Sequence, residues 1–360
     1  MSRNLTTIGD NPILRFFPTP EFLAMPAVGM SFSDTHVRFV EFVSGGITGG
    51  AELGDYAVCE LPDGVISSGE VRDRERLAAT VREMKEKFSF SFVCAALPEQ
   101  KGYLYETNVP ITEEGILRDS VEFTVPENVP LSLDEAVFDF DIGSVDTQSN
   151  TAHVVVTVFP RSVIEQYAGI VEEVGLAPLS FELEAHAVGR AVVSSTDPAT
   201  YIIVHTDGQQ AGLYIVSRNV VHFTSTLSLG TESLGGSGGT FASRAPSTVS
   251  QDSDAGLIND GRARGIVRQL TAEISKLTDF WTSRADGNAT HDRVSAVIVS
   301  GDVAGDDSVV AELNNAHECN VYSADVWTNI FSLDDYVPDI SARESYGYAA
   351  AVGMALPSSG

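Results

Sequence analysis

Apolar and polar positions alternate in short runs through most of the chain, with a few longer stretches of helical spacing between them. Met30 and Phe32, then Val37, Phe39 and Phe42, flank the turn-forming Ser33-Asp34-Thr35, which predicts a β-hairpin over 28–43. Residues 72–88 are rich in Arg, Glu, Ala and Met and place Leu77, Val81 and Met84 on one face, the spacing of an amphipathic helix. A strand over 90–97 follows and ends at Pro98. Next come a strand at 103–109, a helix at 113–123 and strands at 136–142 and 152–158. The helix after Pro160 is punctuated by Ser162 and Glu165 as a capping box and by Gly175 at its exit, with Ile164, Tyr167, Ile170, Val171 and Val174 as its apolar stripe. A strand over 178–183 and a helix over 184–193 complete this half.

After Thr200 the pattern restarts. Strands at 201–204, 213–216 and 220–226 repeat the opening, so the chain reads as two related halves. Between 231 and 259 the composition shifts to Gly, Ser, Thr and Asp around Gly235-Gly236-Ser237-Gly238-Gly239, which predicts a mobile loop. A long helix at 266–282, a strand at 296–299, the turn Ser300-Gly301-Asp302 and a small-residue helix at 346–356 close the chain. At the other end, Phe16, Phe17, Phe22, Leu23 and Met25 are interrupted by Pro18, Pro20 and Pro26, so residues 1–27 are expected to form an extended arm on the body rather than a membrane helix.

Charge narrows the function classes. Fifty acidic residues stand against 22 basic ones, for a net charge of −28 over 360 residues. Nucleic-acid phosphates are repelled by such a surface unless basic residues gather in one patch, and Lys85, Lys87, Lys101 and Lys276 form none. The acidity suits a salt-rich environment, and solubility alone accounts for it equally well. Cys59, Cys94 and Cys319 lack ligand spacing and read as reduced, buried thiols. No apolar run approaches the roughly 20 residues of a membrane helix, and the N-terminus lacks the order of a secretory signal, so a cytoplasmic location without direct membrane insertion is expected.

Literal motifs give little. The Gly235-Gly236-Ser237-Gly238-Gly239 stretch fits the G-x-S-x-G pattern but lacks the strand-to-helix turn a hydrolase nucleophile needs, and it has no Gly-Lys-Ser/Thr ending to hold phosphates. The seven histidines are dispersed, and His186 reads as a packed or surface residue. Asp252, Asp254, Asp302, Asp306 and Asp307 are loop carboxylates without a calcium-loop pattern, expected to be solvated.

Two hairpins facing each other across a cleft can hold nucleotide phosphates between their backbone N–H groups. With that arrangement in view, 113–140, which ends in Val129-Pro130-Leu131-Ser132-Leu133-Asp134-Glu135-Ala136, resembles the type IV pilus assembly protein PilM family. So do 160–190 with Val174-Gly175-Leu176 and Glu182-Leu183-Glu184-Ala185, then Leu227-Ser228-Leu229-Gly230, Glu273-Ile274, Val299-Ser300-Gly301 and the closing Tyr348-Ala349-Ala350-Ala351-Val352-Gly353.

The resemblance implies an α/β, actin-like (ribonuclease H-like) two-lobed fold, related to that of the cell-division protein FtsA, with an inserted α+β subdomain of the strand-helix-strand-strand (SHS2) type. The corresponding division is a first lobe from 28–102 and 159–199, the inserted subdomain at 103–158, a second lobe from 200–230 and 293–360, and the loop and long helix at 231–292. It further implies a cytoplasmic scaffold, peripheral to the inner face of the membrane, that grips the tail of a PilN-like inner-membrane protein, meets pilus motor or platform proteins and takes ATP with Mg in its cleft. The implied cofactor-binding residues are Ser31, Ser33, Asp34 and Thr35 in the first hairpin, Asp207, Gly208 and Gln209 in the second, Gly301 and Asp302 in the later turn, Glu184 near the cleft, and Glu273 with Lys276 toward the ribose and base. An ordinary i, i+3 surface pair explains Glu273 and Lys276 equally well.

Three of these segments depart from the family pattern. Its first hairpin reads Gly-x-Asp-x-Gly-x-x-x-x-Lys, whereas Gly29 is followed here by Ser31, Ser33 and Arg38 in those places. The second hairpin's Asp-x-Gly aligns with His205-Thr206-Asp207, and the adenosine turn reads Ser300-Gly301-Asp302-Val303. Losing glycine hinders close approach to a phosphate, and losing the aspartate removes an anchor for metal-bound water. The expectation is therefore binding, with weak ATPase activity at most or an empty cleft. The alternatives are an active ATPase or sugar-kinase relative and an FtsA-like filament protein.

Overall fold

The computed structural model describes residues 27–44, 50–112, 115–116, 118–229, 242–243, 260–284 and 293–356. The predicted opening hairpin is β1 (Ala27–Phe32) and β2 (His36–Ser44), continued by β3 (Ala51–Glu60). Met30 and Phe32 are fully buried, and so is the rest of β1 from Val28 onward. A short hairpin, β4 (Ile66–Ser67) and β5 (Glu70–Val71), leads to α1 (Arg74–Phe88), which Asp73 caps by accepting from Arg76 N at 2.9 Å. The chain then forms β6 (Phe92–Leu97) and a single 3-10 turn at Glu99–Lys101.

The next segment runs β7 (Tyr103–Thr112), β8 (Gly115–Ile116), α2 (Arg118–Glu122), α3 (Val125–Asn128), β9 (Ala136–Asp146) and β10 (Thr151–Pro160). Within the span expected as one helix, 113–123, the described residues form β8 at 115–116 and helix only over 118–122, with α3 following it; residues 113, 114 and 117 lie outside the described set. Then come α4 (Arg161–Glu173), β11 (Ala177–Leu183) and α5 (Glu184–Val192). The predicted capping box at Ser162 does not form. The β9–β10 ladder runs to Pro160, and Arg161, bonded through its N–H to Glu135 O at 2.7 Å, already begins the helix, so Ser162 sits inside the first turn.

The second half consists of β12 (Thr200–Asp207), β13 (Gln210–Ser217), β14 (Val220–Ser228), β15 (Ala242–Ser243), α6 (Asp260–Ser283), β16 (Val294–Gly301), α7 (Asp307–Ala316), β17 (Asn320–Ser323), α8 (Ala342–Ser345) and α9 (Ala349–Ala355). Within the segment expected to be a mobile loop, residues 242 and 243 pair with Val58 and Ala57 of β3. The rest of that segment, the Gly/Ser core included, lies outside the described residues, as does the N-terminal arm before residue 27.

Strand order makes the internal repeat explicit. One sheet runs β11-β6-β1-β2-β3-β15 and the other β14-β13-β12-β16-β17. Each is an antiparallel meander whose first strand is joined on its other side by two parallel strands, β6 and β11 in one case, β16 and β17 in the other. A third sheet, β8-β7-β10-β9, carries α2 and α3 and has its own small core around Val121, Val125, Val154 and Val156. The small-residue helix α9 packs on β1 and α5 so closely that a Cβ on Gly29 would lie 2.0 Å from Ala351 O, and one on Gly353 1.8 Å from Ala187 O. On α6, Leu270, Ile274, Leu277 and Trp281 recur every three or four residues and are buried against the second sheet. No helix among the described residues is long and apolar enough to cross a membrane. The three cysteines are free and half-buried rather than buried, because Cys59 and Cys94 only flank the first core and Cys319 the second.

Candidate functional site

The equivalent hairpin turns of the two sheets meet. Ser33-Asp34-Thr35 closes β1–β2 with a bond from Ser33 N to His36 O of 3.0 Å, and Gly208 and Gln209 close β12–β13. Gly208 takes φ +60°, and a Cβ there would lie 2.7 Å from Thr35 Cγ2. Asp207, at the end of β12, receives three donors from the opposite hairpin. Thr35 Oγ1 donates to its Oδ1 at 2.6 Å, His36 Nδ1 lies 2.8 Å from the same oxygen, and Arg38 Nη1 donates to Oδ2 at 2.6 Å. A carboxylate only accepts, so His36 Nδ1 carries its proton. Arg38 also faces Asp302 at 3.9 Å, whose other oxygen accepts Gly208 N at 2.7 Å. Burial works to raise the Asp207 carboxyl, but the Arg38 charge and the contacts of His36 and Ser33 carry it well below the ordinary carboxylate range. Asp302 is instead raised, by burial and by Asp207. Asp302, its side chain 46% exposed, meets solvent as expected and also borders this cluster, while Asp306 caps α7 through Ser308 N and Val309 N.

Behind the hairpins lies a second buried layer. Gly301 takes φ +79°, and a Cβ there would fall 1.9 Å from Thr206 O. Thr206 Oγ1 accepts Val303 N at 2.9 Å, and His205 Nδ1 lies 3.2 Å from Ser300 Oγ, which itself donates to Tyr346 O. Burial pushes the His205 imidazole down to about 4. Glu184 is driven up to about 8 by burial, then by Glu99 and Asp207, and accepts from Tyr214 OH at 3.2 Å. Glu99 accepts Ala185 N at 3.2 Å, so its carboxyl caps the first turn of α5; burial raises it to about 7 against the opposing bonds from Thr224 and Ala185.

A cavity of about 20 Å³ remains between Ser33, Asp34, Glu99, Glu184, His205 and Asp207. That is room for about one water. A triphosphate does not fit in that space, and the Asp207 carboxylate opposes an anion there, whereas Glu184, raised to about 8, keeps its proton at pH 7. No group of three or more metal-ligating side chains converges among the described residues.

Most of the residues singled out from sequence gather here: Ser33, Thr35, Asp207, Gly208, Gly301 and Asp302 at the clasp, Glu184 behind it. Ser31 is buried on β1 opposite Arg38 in the ladder, and the Gln209 carbonyl accepts Leu229 N at 2.8 Å. Asp34 turns away and accepts Ser68 N and Gly69 N at 2.7 and 3.0 Å. Glu273 and Lys276 pair with each other at 2.8 Å on α6, and no hydrogen bond among the described residues joins them to the hairpins. Sequence reasoning left out Arg38, Glu99, His205 and Tyr214. Arg38 had a signal, since it holds the place of the lysine in the family's hairpin pattern.

A larger groove, of about 760 Å³, opens between the third sheet and the first. Its walls are β9 and β11, which among the described residues pair with β10 alone and with β6 alone, so two strand edges without a described partner line one space. Phe138, Phe140 and Phe181 supply apolar surface. The predicted surface or packed histidine, His186, lies in this groove, held below its usual value mainly by burial, with Nε2 3.3 Å from Thr157 Oγ1. Arg118 stacks on the Phe138 ring at 4.3 Å and bonds Asp139 at 3.3 Å, and Arg190 pairs with Glu182 at 2.7 Å.

The family described as type IV pilus assembly protein PilM matches residues 29–232. A solved PilM-PilN type IV pilus biogenesis complex is similar at a TM-score of 0.69 and 15% identity, over 92% of this chain and 97% of that one. The ethanolamine utilization protein EutJ of Carboxydothermus hydrogenoformans gives 0.47 at 14% identity, over 94% and 90% of the two chains. The cytoplasmic domain of EpsL, an inner membrane component of the type II secretion system of Vibrio cholerae, gives 0.46 at 7% identity, over 91% and 93%. No curated protein matches the sequence.

Proposed function

Because this chain belongs to the type IV pilus assembly protein PilM family and has its actin-like fold, we propose that it is a scaffold of a type IV pilus, or a related secretion or DNA-uptake platform, that works by binding rather than turnover. Its partner is the tail of a PilN-like inner-membrane protein, which holds the scaffold at the cytoplasmic face of the membrane. The groove between β9 and β11 carries this reading. Two strand edges without a described partner offer N–H and C=O groups to an extended peptide, and the phenylalanines between them receive its apolar side chains. The similarity to a PilM-PilN complex supports the choice of partner.

The hairpin site has a different part. The short Arg38–Asp207 ion pair, with the Thr35 and His36 bonds to the same carboxylate, joins the two large sheets, so the site sets their relation to each other and performs no chemistry.

Calorimetric titration with a synthetic peptide of the cognate PilN-like tail tests the proposal. Micromolar binding is expected, and it is lost in Ser180→Trp, which fills the groove from its β11 wall. No heat at high micromolar peptide, or equal binding by the Trp variant, overturns it.

A further inference from the structure

Resting on the peptide-groove reading, we infer that the bound tail runs along β9 and sets a lysine or arginine opposite Asp141, with an apolar residue four positions away opposite Val137. β9 is the edge a peptide can follow without a break, because its ladder with β10 is regular from Ala136 to Ile142 and shifts only beyond that point. β11 shifts between Pro178 and Ser180, and Pro178 has no N–H to give. On β9, Val137, Asp139 and Asp141 stand across from Phe159, Thr157 and Val155, so strand alternation puts the three on one face. Thr157 on that face reaches His186 of α5 at 3.3 Å across the groove floor, and Val137, Asp139 and Asp141 all line the groove. This is the face turned toward the peptide.

The other carboxylates of the groove already have cations. Arg190 holds Glu182 at 2.7 Å, and Arg118 holds Asp139 at 3.3 Å. Asp141 is exposed and makes no hydrogen bond or ion pair among the described residues. Its charge reaches the imidazoles of His186 and His222, both lowered by burial and so neutral at pH 7. A cation on the partner therefore meets a carboxylate that nothing else answers. Cytoplasmic segments beside a membrane helix are rich in Lys and Arg, and a chain of net charge −28 draws a basic tail toward it. Opposite charges directly across a ladder stabilise strand pairing, and the period of two makes Asp141 and Val137 read residues on the same face of the peptide.

The synthetic peptide of the cognate PilN-like tail is titrated into wild type and Asp141→Asn, first unchanged and then with each Lys or Arg replaced in turn by Gln. Because Asp141 is exposed and unbonded, Asp141→Asn is expected to melt with wild type. One replacement is expected to weaken binding to wild type about fivefold and to leave binding to Asp141→Asn unaltered. An apolar residue is expected four positions from the residue so identified. Moving that basic residue by one position turns it to the other face and is expected to lose the same factor. Replacements that cost the same in both proteins, or a one-position shift that changes nothing, overturn this inference and leave the groove reading standing. No binding of the unchanged peptide to wild type overturns both.

Discussion

Glu106 on β7 and His222 on β14 meet at 2.7 Å, tying the third sheet to the second through a carboxylate whose side chain is only 8% exposed. Arg284, at the end of α6, bonds the other oxygen, and His153 Nε2 lies 3.7 Å from it. Burial, with Arg218 nearby, lowers His222 to about 4, and burial followed by His222 lowers His153, so both imidazoles are neutral at pH 7. Arg284 is then the cation that balances Glu106. Replacing Glu106 by Gln strands that guanidinium and is expected to cost about 2–3 kcal/mol. Arg284→Met, which leaves His222 as a donor, costs less. Urea unfolding of both variants checks the order, and equal costs would show that the carboxylate is not the hub.

The dependence of stability on pH follows from four buried groups. Glu99 and Glu184 are raised from 4.5 to about 7 and about 8, so between these values the folded chain holds protons that the unfolded chain has released. Their contribution is complete below pH 4.5 and is lost as pH rises through 7 and 8. His205 and His222 are lowered from 6.5 to about 4, so their contribution is complete above 6.5 and lost as pH falls toward 4. The two effects oppose each other below 6.5. Above it only the carboxyls act, and stability is expected to decline toward pH 8, with a slope approaching about 1.4 kcal/mol per pH unit for each proton. Denaturant melts from pH 6.5 to 8.5 should lose most of this slope in the Glu99→Gln/Glu184→Gln variant. An unchanged slope would assign the titration elsewhere.

Two glycines separate tight packing from open helix. A methyl at Gly353 would fall 1.8 Å from the Ala187 carbonyl oxygen, forcing α9 off α5, whereas at Gly265 on α6 it meets nothing within 4 Å. Gly353→Ala is expected to destabilise by about 3 kcal/mol. Gly265→Ala should stabilise by about 0.5–1 kcal/mol, through helix propensity alone. Thermal or urea unfolding of the pair reads opposite signs, and a shared sign contradicts this account of α9 packing.

The opening hairpin was legible because Val28, Met30 and Phe32 alternate in sequence with the small Gly29 and Ser31, although the strand is buried on both faces. β3 was not, since Ala51–Glu60 mixes acidic and apolar residues without clean alternation. α7 and β17, also missed, follow a run of loop-forming Gly and Asp that masks their start. At the site, the hairpin residues were readable from turn chemistry. Their use was not, because Arg38 and Asp207 are 169 positions apart and only the folded sheets bring them together. Glu99 follows Pro98 in a short turn, and nothing local marks it as the cap of a helix that begins at Glu184. Gly29 opens a phosphate-hairpin pattern in the sequence, yet its lack of a side chain serves α9.

Net charge gives a last expectation. At −28 the folded chain repels itself, and ion pairs such as Arg72–Glu70 and Arg74–Glu173 are too exposed to offset that. Salt shortens the range of this repulsion from about 10 Å at 0.1 M to about 3 Å at 1 M. The buried Arg38–Asp207 pair is screened much less, so the stabilising contact outlasts the destabilising field. The melting temperature should therefore rise with sodium chloride. The increment should be smaller in a variant carrying several surface Glu→Gln changes on α1, at Glu75, Glu83 and Glu86, than in wild type. A melting temperature that falls with salt would mean that exposed ion pairs, not repulsion, dominate the surface energetics.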